Sequence, residues 1–130
     1  MINKSLITVI TLIAGAIMFN IFSKSSSGVD ISVNEFKEMV EKQPGVIIDV
    51  RTRVEYEEGH LTKTDDLIDF MSADFRTKVS ELDKDKTYYL YCRSGNRSGQ
   101  AARIMKGMGF DQVYNIGGFE ELRDAGFEAE

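Results

Sequence analysis

Cys92 is the only cysteine of the 130-residue chain, and the residues on its two sides differ in kind. Residues 87–91 form a short apolar and aromatic run that predicts a buried strand. Residues 93–97 are polar or glycine, and the helical spacing of apolar residues over 101–108 predicts a helix with Ser98 as its N-cap. The sequence therefore predicts a cysteine at the carboxyl end of a strand, facing the N-terminus of a helix.

A cysteine in this position is predicted to ionise. Unpaired backbone N–H groups and the helix dipole favour an anion at a helix N-terminus, and Arg93 and Arg97 add positive charge that lowers a cysteine pKa. Gly95 permits a positive φ, which lets successive N–H groups converge on an anion. A lone cysteine can also be a small buried hydrophobe, but the polar residues that follow Cys92 disfavour this interpretation. The predicted thiolate is a nucleophile.

Four segments of the chain resemble the motifs of rhodanese-homology domains. The segment around the cysteine reads YCRSGNRS at residues 91–98 and precedes an alanine-rich helix. The other three read VIIDVR at 46–51, EYEEGHL at 55–61 and VYNIGGF at 113–119. The resemblance spans about residues 31–127, and four motifs in the family's order make it specific.

The resemblance implies a sulfurtransferase in which Cys92 is the catalytic residue and carries sulfur as a persulfide. The thiolate would take a sulfane sulfur from a small anionic donor such as thiosulfate and yield it to cyanide or a thiol, with no cofactor and no metal. Backbone N–H groups and arginine charge would stabilise both the thiolate and the persulfide anion. The residues that would form the substrate-binding cradle are Arg93, Ser94, Gly95, Asn96, Arg97 and Ser98.

Two other functions are weighed against sulfur transfer. The related dual-specificity phosphatases of the cell cycle have a seven-residue loop and a histidine before the cysteine. This chain has six residues from Cys92 to Arg97, and Tyr91 stands in the histidine position. Rhodanese folds also serve as non-catalytic binding or regulatory modules. Such modules are free to lose the cysteine, so the intact Cys92 and the two arginines favour catalysis.

Four residues outside the loop are also candidates for the site. Asp49 and Arg51 emerge at the carboxyl end of a predicted strand, where α/β sheets place their ligands. We interpret them as supporting residues that form an ion pair, with a contact to Arg97 or to the donor anion as the alternative. For His60, the only histidine, the resemblance implies a loop-fixing hydrogen bond, and a Cys–His catalytic pair is the alternative. Phe119 either walls the pocket or fills the core.

The alternation of predicted strands and helices indicates an α/β fold, with a small parallel sheet flanked by helices on both faces. One hydrophobic N-terminal helix is predicted to precede it. Ser32 begins the first domain helix with a capping-box pattern. Residues 62–66 are polar and lack the proline usual in the family, which leaves the following strand the least determined element. The predicted strands are 45–50, 67–70, 87–91 and 112–116, and the later helices are 54–58, 72–82 and 119–125, besides the one after Cys92.

Composition limits the classes of partner. Residues 29–130 are predicted to form one domain, and the chain is 42% hydrophobic and 28% charged, as in ordinary globular proteins. The formal net charge is −5, and all 21 acidic residues but only 14 of the 16 basic ones follow Gly28. The net charge of the domain is therefore near −7, which disfavours nucleic acid as a partner. The sequence leaves the oligomeric state undetermined.

Residues 1–28 are predicted to be a membrane-targeting segment followed by a serine-rich linker. The run from Leu6 to Phe22 carries no charge, and its length of about 17 residues would span about 26 Å as a helix. It exceeds the apolar region of a secretory signal peptide, so an uncleaved signal anchor at residues 5–22 is favoured over a cleaved signal peptide. The positive-inside rule predicts export of the domain, to the periplasm or the outer face of the cytoplasmic membrane.

Overall fold

The computed structural model describes residues 28–130. Within this range strands and helices alternate along the chain. The strands are β1 (Val46–Asp49), β2 (Asp66–Leu67), β3 (Thr87–Cys92) and β4 (Gln112–Gly118). The helices are α1 (Val33–Lys42), α2 (Arg53–Glu58), α3 (Phe75–Ser80), α4 (Asn96–Gly107) and α5 (Phe119–Asp124).

The four strands form one parallel sheet in the order β2-β1-β3-β4. β3 lies between β1 and β4, and all six of its residues are buried. Parallel strands end at the same edge of a sheet, and that edge is where α/β sheets bind their ligands. The register of β3 against β4 shifts between Leu90 and Tyr91, so that Cys92 lies opposite Gly118. The cysteine therefore stands beside the end of β4.

Alternate residues of β3 point to opposite faces of the sheet, and helices cover both faces. Tyr88, Leu90 and Cys92 belong to a core cluster that also contains buried residues of α3 and α4. Tyr89 and Tyr91 belong to a second cluster, which contains buried residues of α1 and α5. The prediction of a small parallel sheet with helices on both faces is confirmed.

Two helices begin with side-chain caps. At the start of α1 the Ser32 hydroxyl accepts a hydrogen bond from the Glu35 N–H at 3.1 Å, as the sequence pattern predicts. At the start of α2, Thr52 and Glu55 form a complete capping box that the sequence analysis does not single out. Because α2 follows the carboxyl end of β1, this second cap holds the Glu55 side chain at the edge of the sheet where the cysteine lies.

Two predicted elements are shorter in the structure than in the prediction. The helix expected at 72–82 is confined to α3, whose N-cap Asp74 makes no side-chain hydrogen bond to the first turn. The strand expected at 67–70 is reduced to the two residues of β2. The Asp65 carboxylate accepts the N–H of Ile47 at 2.8 Å. This side-chain contact marks where the pairing with β1 begins. After β2 the Ile68 N–H still donates to the Asp49 carbonyl and the Phe70 N–H to the Val50 carbonyl, each at 3.0 Å, so the predicted segment stays hydrogen-bonded to the end of β1 beyond the regular strand.

Residues 29–31 add a short piece of parallel pairing to the outer edge of β4. Asp30 forms a β-bridge with Asn115. The Asn115 N–H donates to the Val29 carbonyl at 2.8 Å, and the Ile31 N–H donates to the Asn115 carbonyl at 3.1 Å. This contact cannot be predicted from the sequence, because three residues carry no periodicity from which pairing can be inferred.

The predicted signal anchor at residues 5–22, and most of the linker that follows it, lie outside the described residues. Between residues 28 and 130 no helix is both long enough and apolar enough to cross a membrane.

Candidate active site

The loop that carries the cysteine begins at the last residue of β3 and ends at the first residue of α4. Gly95 is the N-cap of α4 and has a φ of +94°, in the left-handed region that favours glycine. Its positive φ turns the chain so that the helix starts at Asn96. The prediction of Ser98 as the N-cap is therefore wrong by three positions. Ser98 lies in the first turn of α4, where its side chain is buried.

The Cys92 thiol is surrounded by hydrogen-bond donors of this loop. Its Sγ accepts from the Gly95 N–H at 3.1 Å and lies 3.3 Å from the Ser98 hydroxyl. Burial alone would raise the pKa of the thiol, but hydrogen bonds from the Ser98 hydroxyl and from the N–H groups of Ser98, Ser94 and Gly95 outweigh it and lower the pKa. The leading causes of the lowered pKa are these hydrogen bonds, which include the backbone N–H groups that the sequence predicts, while the Ser98 hydroxyl stands where the sequence predicts arginine charge as the further contribution.

The loop packs directly on the end of β4. A Cβ atom at Gly118 would collide with the Arg93 carbonyl oxygen, so this position requires glycine. Gly117 has a φ of +103°, which also favours glycine. The glycine pair of the VYNIGGF segment thus permits the close approach of two backbones that holds the loop above the sheet.

Ser98 connects the thiol to a second polar side chain. The Ser98 Oγ lies 2.7 Å from Asn115 Oδ1, which also accepts the Gly117 N–H at 3.1 Å. The Asn115 Nδ2 donates to the Gly95 carbonyl at 3.0 Å and to the Asp30 carboxylate at 2.8 Å. Both of these partners are acceptors, so they fix the amide with its oxygen towards Ser98.

Arg97 forms a two-pronged ion pair with Glu55 of α2. Its Nη1 and Nη2 lie 2.7 Å and 2.8 Å from the two Glu55 carboxylate oxygens. Hydrogen bonds from Arg97 lower the pKa of Glu55 to about 2, and the same carboxylate raises the pKa of Arg97. The partner of Arg97 is therefore Glu55, and not Asp49 or Arg51 as the alternative interpretation of that pair supposed.

Asp49, the last residue of β1, and Arg51 form a buried ion pair. Arg51 Nη2 lies 2.8 Å from Asp49 Oδ2, and Arg51 Nε lies 3.0 Å from both carboxylate oxygens. Arg51 Nη2 also donates to the Gly59 carbonyl at 2.6 Å, and the guanidinium lies 4.7 Å from the centre of the Phe119 ring. Burial alone would lower the pKa of Arg51, but hydrogen bonding and charge from Asp49 raise it.

His60 fixes the segment after α2. Its Nδ1 lies 2.9 Å from the Tyr56 carbonyl, and its Nε2 lies 3.2 Å from Glu130 Oε1. The backbones of His60 and Glu130 exchange two hydrogen bonds of 2.8 Å and 2.9 Å. Both ring nitrogens thus have partners away from Cys92, which is the arrangement of a loop-fixing residue and not of a Cys–His pair.

A polar pocket of about 390 Å³ opens beside the loop. Arg93, the residue that follows the buried cysteine in the sequence, lines this pocket. Phe119 forms an apolar part of the pocket wall. Phe119 also stacks on Tyr91, at 6.4 Å between ring centres, so it both walls the pocket and packs on the core. The lining consists of Arg51, Glu55, Glu58, Gly59, Arg93, Phe119, Glu120 and Arg123.

The remaining predicted cradle residues differ in what they contact. The Ser94 side chain is exposed, and its Oγ accepts the Asn96 N–H at 3.4 Å. The Asn96 amide oxygen accepts from the Gln100 side chain at 2.9 Å along the helix. Sequence reasoning missed Asn115 and the role of Glu55. The Glu55 role had a signal, because a capping-box pattern directly after a predicted strand end places a carboxylate at the site edge.

Comparisons with known proteins agree with this geometry. The family model described as a rhodanese-like domain matches residues 32–125. The thiosulfate sulfurtransferase GlpE of Pseudomonas syringae pv. syringae is 36% identical over 90 residues, which cover 68% of this chain and 82% of that protein. The crystal structure of a rhodanese-like domain protein from Staphylococcus aureus has a TM-score of 0.62 and 29% identity, and the match covers 76% of this chain and 95% of that one.

A longer relative also matches. Bacillus subtilis YrkF, which is named provisionally as a sulfur carrier protein, is 34% identical over 93 residues, covering 71% of this chain. The match covers 49% of that protein, so this chain corresponds to about half of its length. The family match spans most of the described residues and includes the loop, the ion pairs and the glycine turn. The chain belongs to the rhodanese-like domain family.

Proposed function

We propose that the protein is a sulfurtransferase that carries sulfane sulfur as a persulfide on Cys92. The observation that carries this proposal is the position of the Cys92 sulfur, 3.1 Å from the Gly95 N–H and 3.3 Å from the Ser98 hydroxyl. These donors stabilise negative charge on sulfur, both on the thiolate that attacks and on the thiolate that leaves. A general base is not required for a cysteine that is already ionised.

The proposed reaction has two steps with thiosulfate as donor and cyanide as acceptor. The Cys92 thiolate attacks the outer sulfur of thiosulfate, a sulfur–sulfur bond to Cys92 forms, and sulfite leaves with the electron pair of the broken bond. Cyanide carbon then attacks the outer sulfur of the persulfide, thiocyanate forms, and Cys92 leaves as the thiolate. Neither step transfers a proton, and the total charge is conserved in each.

Two arginines of the pocket are the proposed binding groups for a small anionic donor, although the carboxylates of Glu58 and Glu120 also line it. Arg93 and Arg123 line it, and Arg123 lies 5.5 Å from the centre of the Phe119 ring. Among residues 28–130 neither arginine is paired as closely as Arg51 or Arg97, since the contact of Arg123 with Asp124 is 3.5 Å between exposed side chains. Guanidinium groups bind oxyanions through two parallel hydrogen bonds. These residues are therefore the proposed contacts of the donor.

The test is the intact mass of the full-length chain, kept in a mild detergent, after brief exposure to thiosulfate. We expect a gain of about 32 Da that cyanide reverses, because one sulfur atom is added to an activated thiolate. The Cys92→Ser variant is the matched control and should show no gain. Rapid alkylation of Cys92 without any gain from thiosulfate or other sulfur donors would contradict the proposal.

A binding module remains the second candidate, and one observation favours it. The Cys92 residue has no exposed surface in this structure, whereas a nucleophile has to meet its substrate. The mass experiment separates the two functions. A module that only docks a partner would retain its thiol unmodified in the presence of every donor.

Export and membrane tethering through residues 5–22 form part of the same proposal. The support is the uncharged run in the sequence together with the acidic domain that follows it. We expect a C-terminal alkaline phosphatase fusion of the full chain to be active, because that enzyme folds only after export, and to remain with the membrane fraction after a carbonate wash. The same fusion without residues 1–28 should be inactive. An inactive full-length fusion in the soluble fraction would contradict the proposal.

A further inference from the structure

Ser98 carries a single hydroxyl proton and stands between two acceptors. Cys92 Sγ lies 3.3 Å away on one side, and Asn115 Oδ1 lies 2.7 Å away on the other. A hydroxyl can donate only one hydrogen bond, although it can accept two. The two contacts therefore cannot both be donated by Ser98 at the same time.

The protonation state of the sulfur decides which acceptor receives the proton. When Cys92 is a thiol, its S–H can donate to Ser98 Oγ while Ser98 donates to Asn115, and every group is satisfied. When Cys92 is a thiolate, Ser98 has to turn its proton to the sulfur. Asn115 Oδ1 then faces a second oxygen at 2.7 Å, with only the Gly117 N–H as its donor.

Asn115 cannot relieve this opposition by turning over its amide. Its Nδ2 is held by the Gly95 carbonyl at 3.0 Å and by the Asp30 carboxylate at 2.8 Å. A reversed amide would place its oxygen against both acceptors. The segment at residues 29–31 is itself anchored by the backbone bridge to Asn115, which keeps the Asp30 carboxylate in reach.

We propose that Ser98 is a two-position proton donor and that Asn115, locked by Asp30, is a positioning residue that supplies its second position. In the first position Ser98 stabilises the Cys92 thiolate. In the second it donates to Asn115, when the inner sulfur carries no charge, as in the thiol or in the persulfide. Asn115 thus opposes ionisation of Cys92, while Ser98, its direct neighbour, promotes it.

This inference rests on the proposed thiolate chemistry of Cys92, but its readout needs no sulfur donor. Cys92 is the only cysteine, so alkylation of the full-length chain by iodoacetamide reports on it without background. The pH midpoint of the alkylation rate measures the thiolate population, and it is independent of how often the buried sulfur becomes accessible. A failure of sulfur transfer would leave the midpoint measurable, so the two proposals fail separately.

Other charged groups around the sulfur have to stay constant in this comparison. They lie on β1 and just after it, on the loop with the start of α4, and on α2 and α5, and none of them is changed in the variants. These residues are Asp49, Arg51, Arg93, Arg97, Glu55 and Glu121. Arg103 of α4 lies 3.4 Å from Asp30, so an Asp30 variant also changes the partner of this charge.

The predicted shifts have opposite signs. Ser98→Ala should raise the midpoint by about one pH unit, because the thiolate loses a hydrogen bond to a charged group. Asn115→Leu should lower it by about half a unit, because Ser98 then has only the sulfur as acceptor. Asp30→Ala should lower the midpoint by a few tenths of a pH unit, because the Asn115 amide is then held by the Gly95 carbonyl alone. Below the midpoint this corresponds to an increase of about twofold in the thiolate population.

The Asp30→Asn variant separates the hydrogen bond from the charge. It keeps an oxygen acceptor for Asn115 and removes the negative charge, so its midpoint should remain at the wild-type value. An upward shift in Asn115→Leu, or an equal downward shift in Asp30→Asn and Asp30→Ala, would overturn the proposal. If Asn115→Leu does not fold, the Asp30 pair decides alone. A downward shift confined to Asp30→Ala supports the proposal, and no shift overturns it.

Discussion

The two arginine–carboxylate pairs at the site have similar geometry and very different surroundings. Arg51 lies 2.8 Å from Asp49, and their side chains are 5% and 0% exposed. Arg97 lies 2.7 Å from Glu55, and their side chains are 23% and 25% exposed. The distances are nearly equal, so distance alone does not determine what each pair contributes. The access of water to the two partners determines how much each pair contributes to stability.

The buried pair belongs to the framework and the accessible pair to the loop. Removing one partner of a buried pair leaves an unpaired charge in a poorly solvated place, which typically costs about 3–5 kcal/mol. A partly exposed pair should contribute less than this, because water can replace part of the interaction with the lost partner. Arg97 should therefore separate from Glu55 at a lower cost than Arg51 from Asp49.

The largest effect is expected from breaking the buried pair. Arg51→Ala should lower the free energy of unfolding by about 3–5 kcal/mol, since the Asp49 carboxylate is left buried without its partner. Chemical denaturation with circular dichroism measures this. Lys78→Ala is the matched control, because its pair with Asp74 is more than half exposed on both sides. A loss below about 1 kcal/mol for Arg51→Ala, similar to the control, would contradict the distinction between the pairs.

A smaller, pH-dependent effect is expected from the accessible pair. Arg97 lowers the pKa of Glu55 from 4.5 to about 2, so the pair stabilises the fold fully above pH 4.5 and its contribution is lost as the pH falls through about 2. Glu55→Gln should therefore be less stable than the wild type by about 1–2 kcal/mol near neutral pH, since partial exposure to water reduces what the lowered pKa would contribute. The two proteins should converge in stability as the pH approaches 2.

Denaturation of both proteins at a series of pH values between 2 and 7 tests this prediction. Glu58→Gln, which changes a carboxylate of the same pocket and the same helix, is the control and should lack the pH-dependent difference. A stability difference for Glu55→Gln that is constant down to pH 2 would show that the variant acts through packing or the helix cap, and not through the charge of the pair.

The strand, loop and helix around Cys92 were largely predictable, because their signals are local. The apolar run of β3 and the polar loop after it lie within a few residues of each other. The start of α4 was misplaced because the positive φ of Gly95 begins the helix at Asn96, and helical periodicity alone does not locate a first turn. Ser98 belongs to the predicted cradle, but the predicted N-cap role would direct its hydroxyl to a backbone N–H of the helix. In the structure the hydroxyl contacts the sulfur of Cys92.

The contacts of Asn115 were beyond sequence reasoning. Its neighbours depend on the register shift between Leu90 and Tyr91, and a shift of one residue decides which side chains meet. The approach of Asp30 depends on pairing between segments 85 residues apart. Neither the register shift nor the long-range pairing leaves a pattern within a short stretch of sequence. The partner of Arg97 could have been predicted, since the capping-box pattern of Thr52 and Glu55 marks a helix start beside the site.

The pairing of residues 29–31 with β4 bears on where the functional unit begins. The family match starts at residue 32 and ends at 125, yet Asp30 and Glu130 lie beyond these limits and hold Asn115 and His60. A recombinant fragment trimmed to the match would retain every recognisable motif and lose both supports. Measurements on such a fragment would be made without the partners of Asn115 and His60, and the boundaries for any truncation study are better set at residues 29 and 130.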